Sequence, residues 1–169
     1  LIREELKLMA FTVTVENLDG ISNAKVVGKI DEYAVDSFKP LYEIPTGLVT
    51  IDLSGVQSIN SVGVRVWINF MSSFRESHEI ILQKCPPDII MQINMIPNFL
   101  GAGKIESFLS PYFCSNCDLN FFVEFQTSIP FTDLLREIEY QECKKCNMSC
   151  ECGEITPVFI NFLNPKESL

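Results

Sequence analysis

The stretch GLVTIDLSGVQSINSVGVRVWINF, Gly47 to Phe70, decides how the chain is read. Its first part, Gly47 to Gly55, is a short and nearly continuous apolar run, the pattern of a strand covered on both faces. Farther on, Val64, Trp67, Ile68, Met71 and Phe74 recur at i, i+3, i+4, i+7 and i+10. That spacing predicts an amphipathic helix with one buried stripe. Asn60, Ser61, Val62 and Gly63 therefore stand where a strand-side loop meets a helix N-terminus. Serine is a favoured cap there, and Asn60 can do the same job. The free N–H groups and positive dipole end that make a cap useful would also stabilise a phosphate on Ser61. Gly63 costs helix stability and suits a point of close approach. Arg65, one turn in, is placed either as a solvated charge or as a partner for such a phosphate.

Outward from this stretch the chain alternates strands and helices. FTVTVEN (Phe11 to Asn17) and AKVVGKI (from Ala24) read as a hairpin around the turn NLDG. DEYAVDSFKPLYEI has near-helical spacing at Ala34, Phe38, Leu41 and Tyr42, with Pro40 expected to kink or end the helix. EIILQKC reads as a strand, PPDIIMQINMIPNFL as a helix opened by proline, FLGAGK as a turn, and KIESFLS as a last short strand. The expected order is β-β-α-β-α-β-α-β, an α/β sheet with a parallel component and helical cover. Composition changes at Pro111, which puts a boundary near residue 110.

The chain has 169 residues, 47% of them hydrophobic, enough for a real core. Its net charge of −9 divides into −4 over residues 1–110 (9 basic, 13 acidic) and −5 over 111–169 (4 basic, 9 acidic). Neither part has the clustered Lys and Arg that direct nucleic-acid binding needs. No apolar run is long enough to span a membrane. LIREELKLMAF at the start mixes charged and apolar residues too closely for a secretory signal. His78 is the sole histidine and reads as a surface residue, so a Ser-His-Asp triad has no material. FLGAGK lacks P-loop spacing. A non-enzymatic protein is expected.

Six of the seven cysteines fall in the last third. Cys114 and Cys117, then Cys143 and Cys146, form C-x2-C-x25-C-x2-C. Two residues between cysteines let one tight turn present both thiolates to an ion, and two such turns complete a tetrahedron. This predicts a closed structural zinc site in a small ribbon, in a reducing cytoplasm. Cys150 and Cys152 are alternates that could replace Cys143 or Cys146, stay free, or oxidise. A redox role for the pairs competes with metal binding. Cys85, alone, reads as core packing.

GKIDEYAVDSF, LVTIDLSGVQSINSVGVRVWINF and IILQKCPPDIIMQINMIPNFLGAGKIESF together resemble the STAS domain of anti-sigma factor antagonists. That family carries a G-x-L-D segment, then an apolar strand ending in D-L-S-x-V-x-x-D-S-S-G, then a long helix. The resemblance covers residues 9–110, and the segment 111–165 is similar to a rubredoxin-type zinc ribbon. It implies a STAS-like mixed β-sheet with packed helices. It also implies a switch in which Ser61 is phosphorylated and a protein partner, an anti-sigma factor, serine kinase or related regulator, is exchanged. The candidate partner surface comprises Asp31, Asn60, Ser61, Val62, Gly63 and Arg65. Asn60 and Val62 stand where the family has aspartate and a small polar residue, which favours a constitutive scaffold as the alternative. A thiol- or zinc-responsive sensor is the third reading.

Overall fold

The computed structural model describes residues 11–18, 20–154 and 156–163. The opening segment 1–10 and the domain ends placed at residues 9 and 165 lie outside them. Strand β1 (Thr12–Leu18) turns through Gly20 into β2 (Ile21–Ile30) as an antiparallel hairpin. A 3-10 turn (Ala34–Phe38) and one short helix, α1 (Lys39–Tyr42), lead to β3 (Gly47–Ile59). Then follow α2 (Ser61–Phe74), β4 (His78–Gln83), α3 (Pro87–Met95) and the two-residue β5 (Lys104–Ile105). These strands make one mixed sheet in the order β1-β2-β3-β4-β5, parallel except for the first pair. The expected α/β sheet with packed helices is present.

Alternation along the strands separates two faces. Ala24, Val26, Val49, Ile51, Leu53, Ile80 and Leu82 are buried beneath the helices. Their neighbours Thr14, Lys25, Thr50, Asp52 and Gln83 line a shallow cleft on the other face. The expectation that β3 is covered on both faces is therefore corrected. Its apolar run looks continuous because Leu48 lies on the open side, only partly exposed, beside the buried set. The helical cover is held by aromatic packing. Phe38 stacks on Phe70 at 4.4 Å, Trp67 stacks on Phe99 at 5.9 Å, and the Trp67 indole donates to the Phe99 carbonyl at 3.1 Å. The buried stripe of α2 is Gly63, Trp67, Phe70, Met71 and Phe74, so Gly63 and Phe70 stand in place of the expected Val64 and Ile68, which are only partly buried.

Three other local expectations change. Pro40 does not end a helix; it sits in the first turn of α1, where its missing N–H is harmless, and the turn before it is 3-10. His78 is not a free surface residue. It is half-buried at the start of β4, stacked on Phe74 at 4.0 Å, its ring nitrogens facing the carbonyls of Phe74 and Ile44. KIESFLS is not one strand. It breaks at Glu106, and β6 (Ser107–Cys114) belongs to a second sheet with β7 (Leu119–Gln126).

Strand β6 thus runs straight through the boundary placed near residue 110. Pro111 is tolerated mid-strand because its backbone faces Gly153, whose N–H donates to the Pro111 carbonyl at 2.8 Å. The missing N–H falls on that side, where pairing is a single bridge between Tyr112 and Cys152, and the ladder to β7 loses nothing. Helix α4 (Phe131–Glu137), the hairpin β8 (Tyr140–Glu142) with β9 (Ser149–Glu151), α5 (Thr156–Phe159) and a 3-10 turn (Asn161–Leu163) complete the chain.

The second sheet is built onto the first. Cys85 bridges to Phe108, with its N–H on Ser107 O and its carbonyl accepting from Leu109 N–H. The Asn94 side chain of α3 donates to the carbonyl of Phe159 at 2.9 Å. Phe108 packs against Phe125, Phe159 and Phe162. One continuous cluster of buried side chains runs from Phe11 to Ile160. Cys85 lies fully inside it, where burial pushes its thiol far up, as core packing requires.

Candidate functional site

The tip of α2 is made by the end of β2 as much as by the helix. The Asn60 N–H donates to Ile30 O at 3.2 Å, and the Asn60 side chain accepts from Gly63 N–H at 2.7 Å. Asn60, not Ser61, is therefore the cap. A Cβ on Gly63 would stand 1.9 Å from the Ile30 carbonyl oxygen. The close approach that Gly63 permits is by the chain's own β2, and Gly63 is buried. Asp31, half-buried, accepts from Tyr33 N–H at 3.0 Å and so orders the turn after β2.

Ser61 is exposed at the first helical position, its hydroxyl released from capping. Val62 (42% exposed) and Arg65 are exposed beside it. Tyr33 and Val35 are exposed at 79% and 57% on the facing 3-10 segment. Between this segment and α2 runs an open groove of about 260 Å³, lined by Val35, Phe38, Tyr42, Val66, Asn69 and Phe70 among others. Val66 is one turn beyond Val62, so the groove continues the apolar rim of the tip. Glu32 closes the other side. Hydrogen bonding near its own backbone, and then the Asn60 amide at 3.2 Å, hold its carboxyl below the usual range. A negative charge already stands beside the helix end. Of the six candidate partner-surface residues, the structure gathers all at one tip but leaves only Asn60, Ser61, Val62 and Arg65 exposed.

The cysteine turns converge as their spacing predicts. Cys114 ends β6, and Cys117 stands in the turn to β7. Cys143 and Cys146 form the turn between β8 and β9. The four sulfurs all lie within 4.8 Å of one another, with Cys114 and Cys146 at 3.5 Å. A tetrahedral zinc with bonds of about 2.3 Å needs sulfurs about 3.8 Å apart, so the set fits that ion. Each turn is closed the same way. Asp118 and Asn147, immediately after the second cysteine, take left-handed φ values of 47° and 58°, which Asn and Asp adopt most readily. Within the cluster the Met148 N–H, followed by Cys117 and Asn116, draws Cys146 down to about 6. Cys117, sharing its proton with Cys146, is pushed up to about 12.

Cys150 and Cys152 lie outside the four. Cys150 is buried on β9, and Cys152 sits 3.1 Å from Ser110 Oγ. Sequence reasoning missed the paired residues after each CxxC; a turn-favouring Asp and Asn at matching places were the available signal.

No protein-family model and no curated protein matches this chain. Among the solved structures similar to this chain is an anti-sigma factor antagonist from Mycobacterium paratuberculosis. The match has 23% sequence identity and a TM-score of 0.38, covering 51% of this chain and 77% of that one. Among the described residues, no helix is long and apolar enough to cross a membrane.

Proposed function

We propose that this chain is a non-enzymatic regulatory module that binds a protein partner through the tip of α2 and changes that binding when Ser61 is phosphorylated. The observation that carries the reading is the division of labour at the tip: Asn60 caps the helix, leaving Ser61 exposed beside an apolar rim. A phosphate there adds nearly two negative charges where first-turn N–H groups favour them. It also charges a rim whose Val62, Tyr33 and Val35 suit an apolar partner surface. The resemblance of residues 9–110 to anti-sigma factor antagonists makes an anti-sigma factor, a serine kinase or a related regulator the partner of choice. Nucleic acid and membrane play no direct part, and the chain works in the cytoplasm.

The same reading assigns a structural zinc to Cys114, Cys117, Cys143 and Cys146. Four thiolates complete the ion's coordination and leave no position for a reacting water, so the metal holds the ribbon 111–165 together. Incubation with a kinase encoded beside this chain, followed by intact-mass measurement, tests the switch. The expected product carries one phosphate, on Ser61. An unmodified chain, together with unaltered partner binding by Ser61→Asp, rejects the switch. One observation favours the second reading, a scaffold that binds without switching: Glu32 already supplies a fixed negative charge at the tip.

A further inference from the structure

Strand β9 approaches the metal centre with a cysteine the four-ligand set does not use. Its register on β6 is set by the Tyr112–Cys152 bridge and by the Gly153 N–H on Pro111 O. Extended by two residues along each strand, that register places Cys150 opposite Cys114. Side chains opposite one another on antiparallel strands have Cβ atoms about 5 Å apart and point to one face. The Cys150 side chain is only 4% exposed, and its thiol donates to the Met148 carbonyl at 3.5 Å. Cys152 is on the same face but two residues, about 7 Å, farther from the centre, beside Ser110. From sequence spacing, Cys150 looked like a substitute for Cys143 or Cys146. The strand register pairs it with Cys114 instead.

We propose that Cys150 is a fifth metal ligand held in reserve, able to take the place of Cys114 and of no other thiolate in the centre. This rests on the metal reading of the four cysteines. The exchange is a ligand substitution: one metal–sulfur bond breaks at Cys114, one forms at Cys150, and Cys150 gives up its thiol proton to solvent. No oxidant is involved. The knuckle Cys143–Cys146 keeps both its sulfurs, and Cys117 remains as the third anchor, so the turn geometry that builds the site survives the exchange.

Cobalt(II) reports the number of thiolates through its charge-transfer absorption, which makes it the probe for the full chain. Wild type and Cys150→Ser should each bind one cobalt with a four-thiolate spectrum. Cys114→Ser should keep a four-thiolate spectrum, whereas Cys114→Ser/Cys150→Ser should fall to three thiolates. Loss of a group that merely supports a ligand weakens metal binding 10–100-fold, so the double variant should bind at least about tenfold more weakly than Cys114→Ser. Cys117→Ser should show three thiolates whether or not Cys150 is present. Identical spectra for Cys114→Ser and the double variant would overturn the proposal. A Cys114→Ser chain that stays unfolded at saturating cobalt would do the same, since a competent fifth ligand rebuilds the site. A wild-type chain that binds no cobalt would instead overturn the underlying metal reading.

Discussion

Gly63 has no room for a side chain, because the Ile30 carbonyl fills the place a Cβ would take. A methyl group there must push α2 off β2, and overpacking of this kind costs on the order of 3 kcal/mol. Gly63→Ala should lower Tm by roughly 5–10 °C in thermal denaturation; an unchanged Tm would mean that the helix does not seat on β2 as described. Asn60→Ala removes the cap bond to Gly63 and should cost about 1 kcal/mol, while Asn60→Ser should recover most of it. Asp52 supplies a pH signature. Burial pushes its carboxyl up, but the Ser54 hydroxyl and N–H and the Lys84 ammonium at 3.0 Å outweigh that and hold it below its ordinary value. A carboxyl lowered in the folded state stabilises above its unfolded pKa and loses that contribution as pH falls through the folded one. Wild type should therefore exceed Asp52→Asn in Tm at pH 7, with the gap closing as the pH drops through about 4 and below. A gap that is constant down to pH 3 would contradict the linkage.

At the scale of elements, the strand–turn–helix at Gly47 to Phe74 and the two cysteine turns were legible because each rests on short-range chemistry. Apolar period, a capping residue and a two-residue cysteine spacing all act within one turn of chain. What was not legible depends on distant partners. Pro111 suggested a break, yet β6 continues through it because the side that lacks the N–H meets only the single bridge at Cys152, just past β9. The open face of β3 is written in the alternation Val49-Thr50-Ile51-Asp52-Leu53-Ser54, and was masked only by Leu48 standing next to Val49 on the open side. Ser61 and Asn60 were equal candidates for the cap until the side-chain bond to Gly63 chose between them. The ribbon's elements are short, with three-residue strands β8 and β9, so on the proposed metal reading metal–sulfur bonds would carry much of their order. Stripping the metal with a chelator should abolish amide-exchange protection across β8 and β9 first, with protection in β3 outlasting it. Equal protection with and without chelator would remove the metal from the account.

For the whole molecule, the second sheet shares a core with the first, so the α2 tip is presented by a body braced along β4 and β6. In the proposed switch, a phosphate on Ser61 would act on what that body binds, because Asn60, Gly63 and Ile30 hold the helix in place independently of the Ser61 hydroxyl. The regulatory reading then comes down to whether a partner distinguishes the two charge states of one exposed hydroxyl. The most direct measurement is quantitative recovery of the chain's native partner on immobilised wild type, Ser61→Ala and Ser61→Asp. The account predicts at least about a tenfold difference in recovery, about 1.4 kcal/mol, between Ser61→Ala and Ser61→Asp, with the unmodified wild type matching Ser61→Ala. Equal recovery on all three would contradict it.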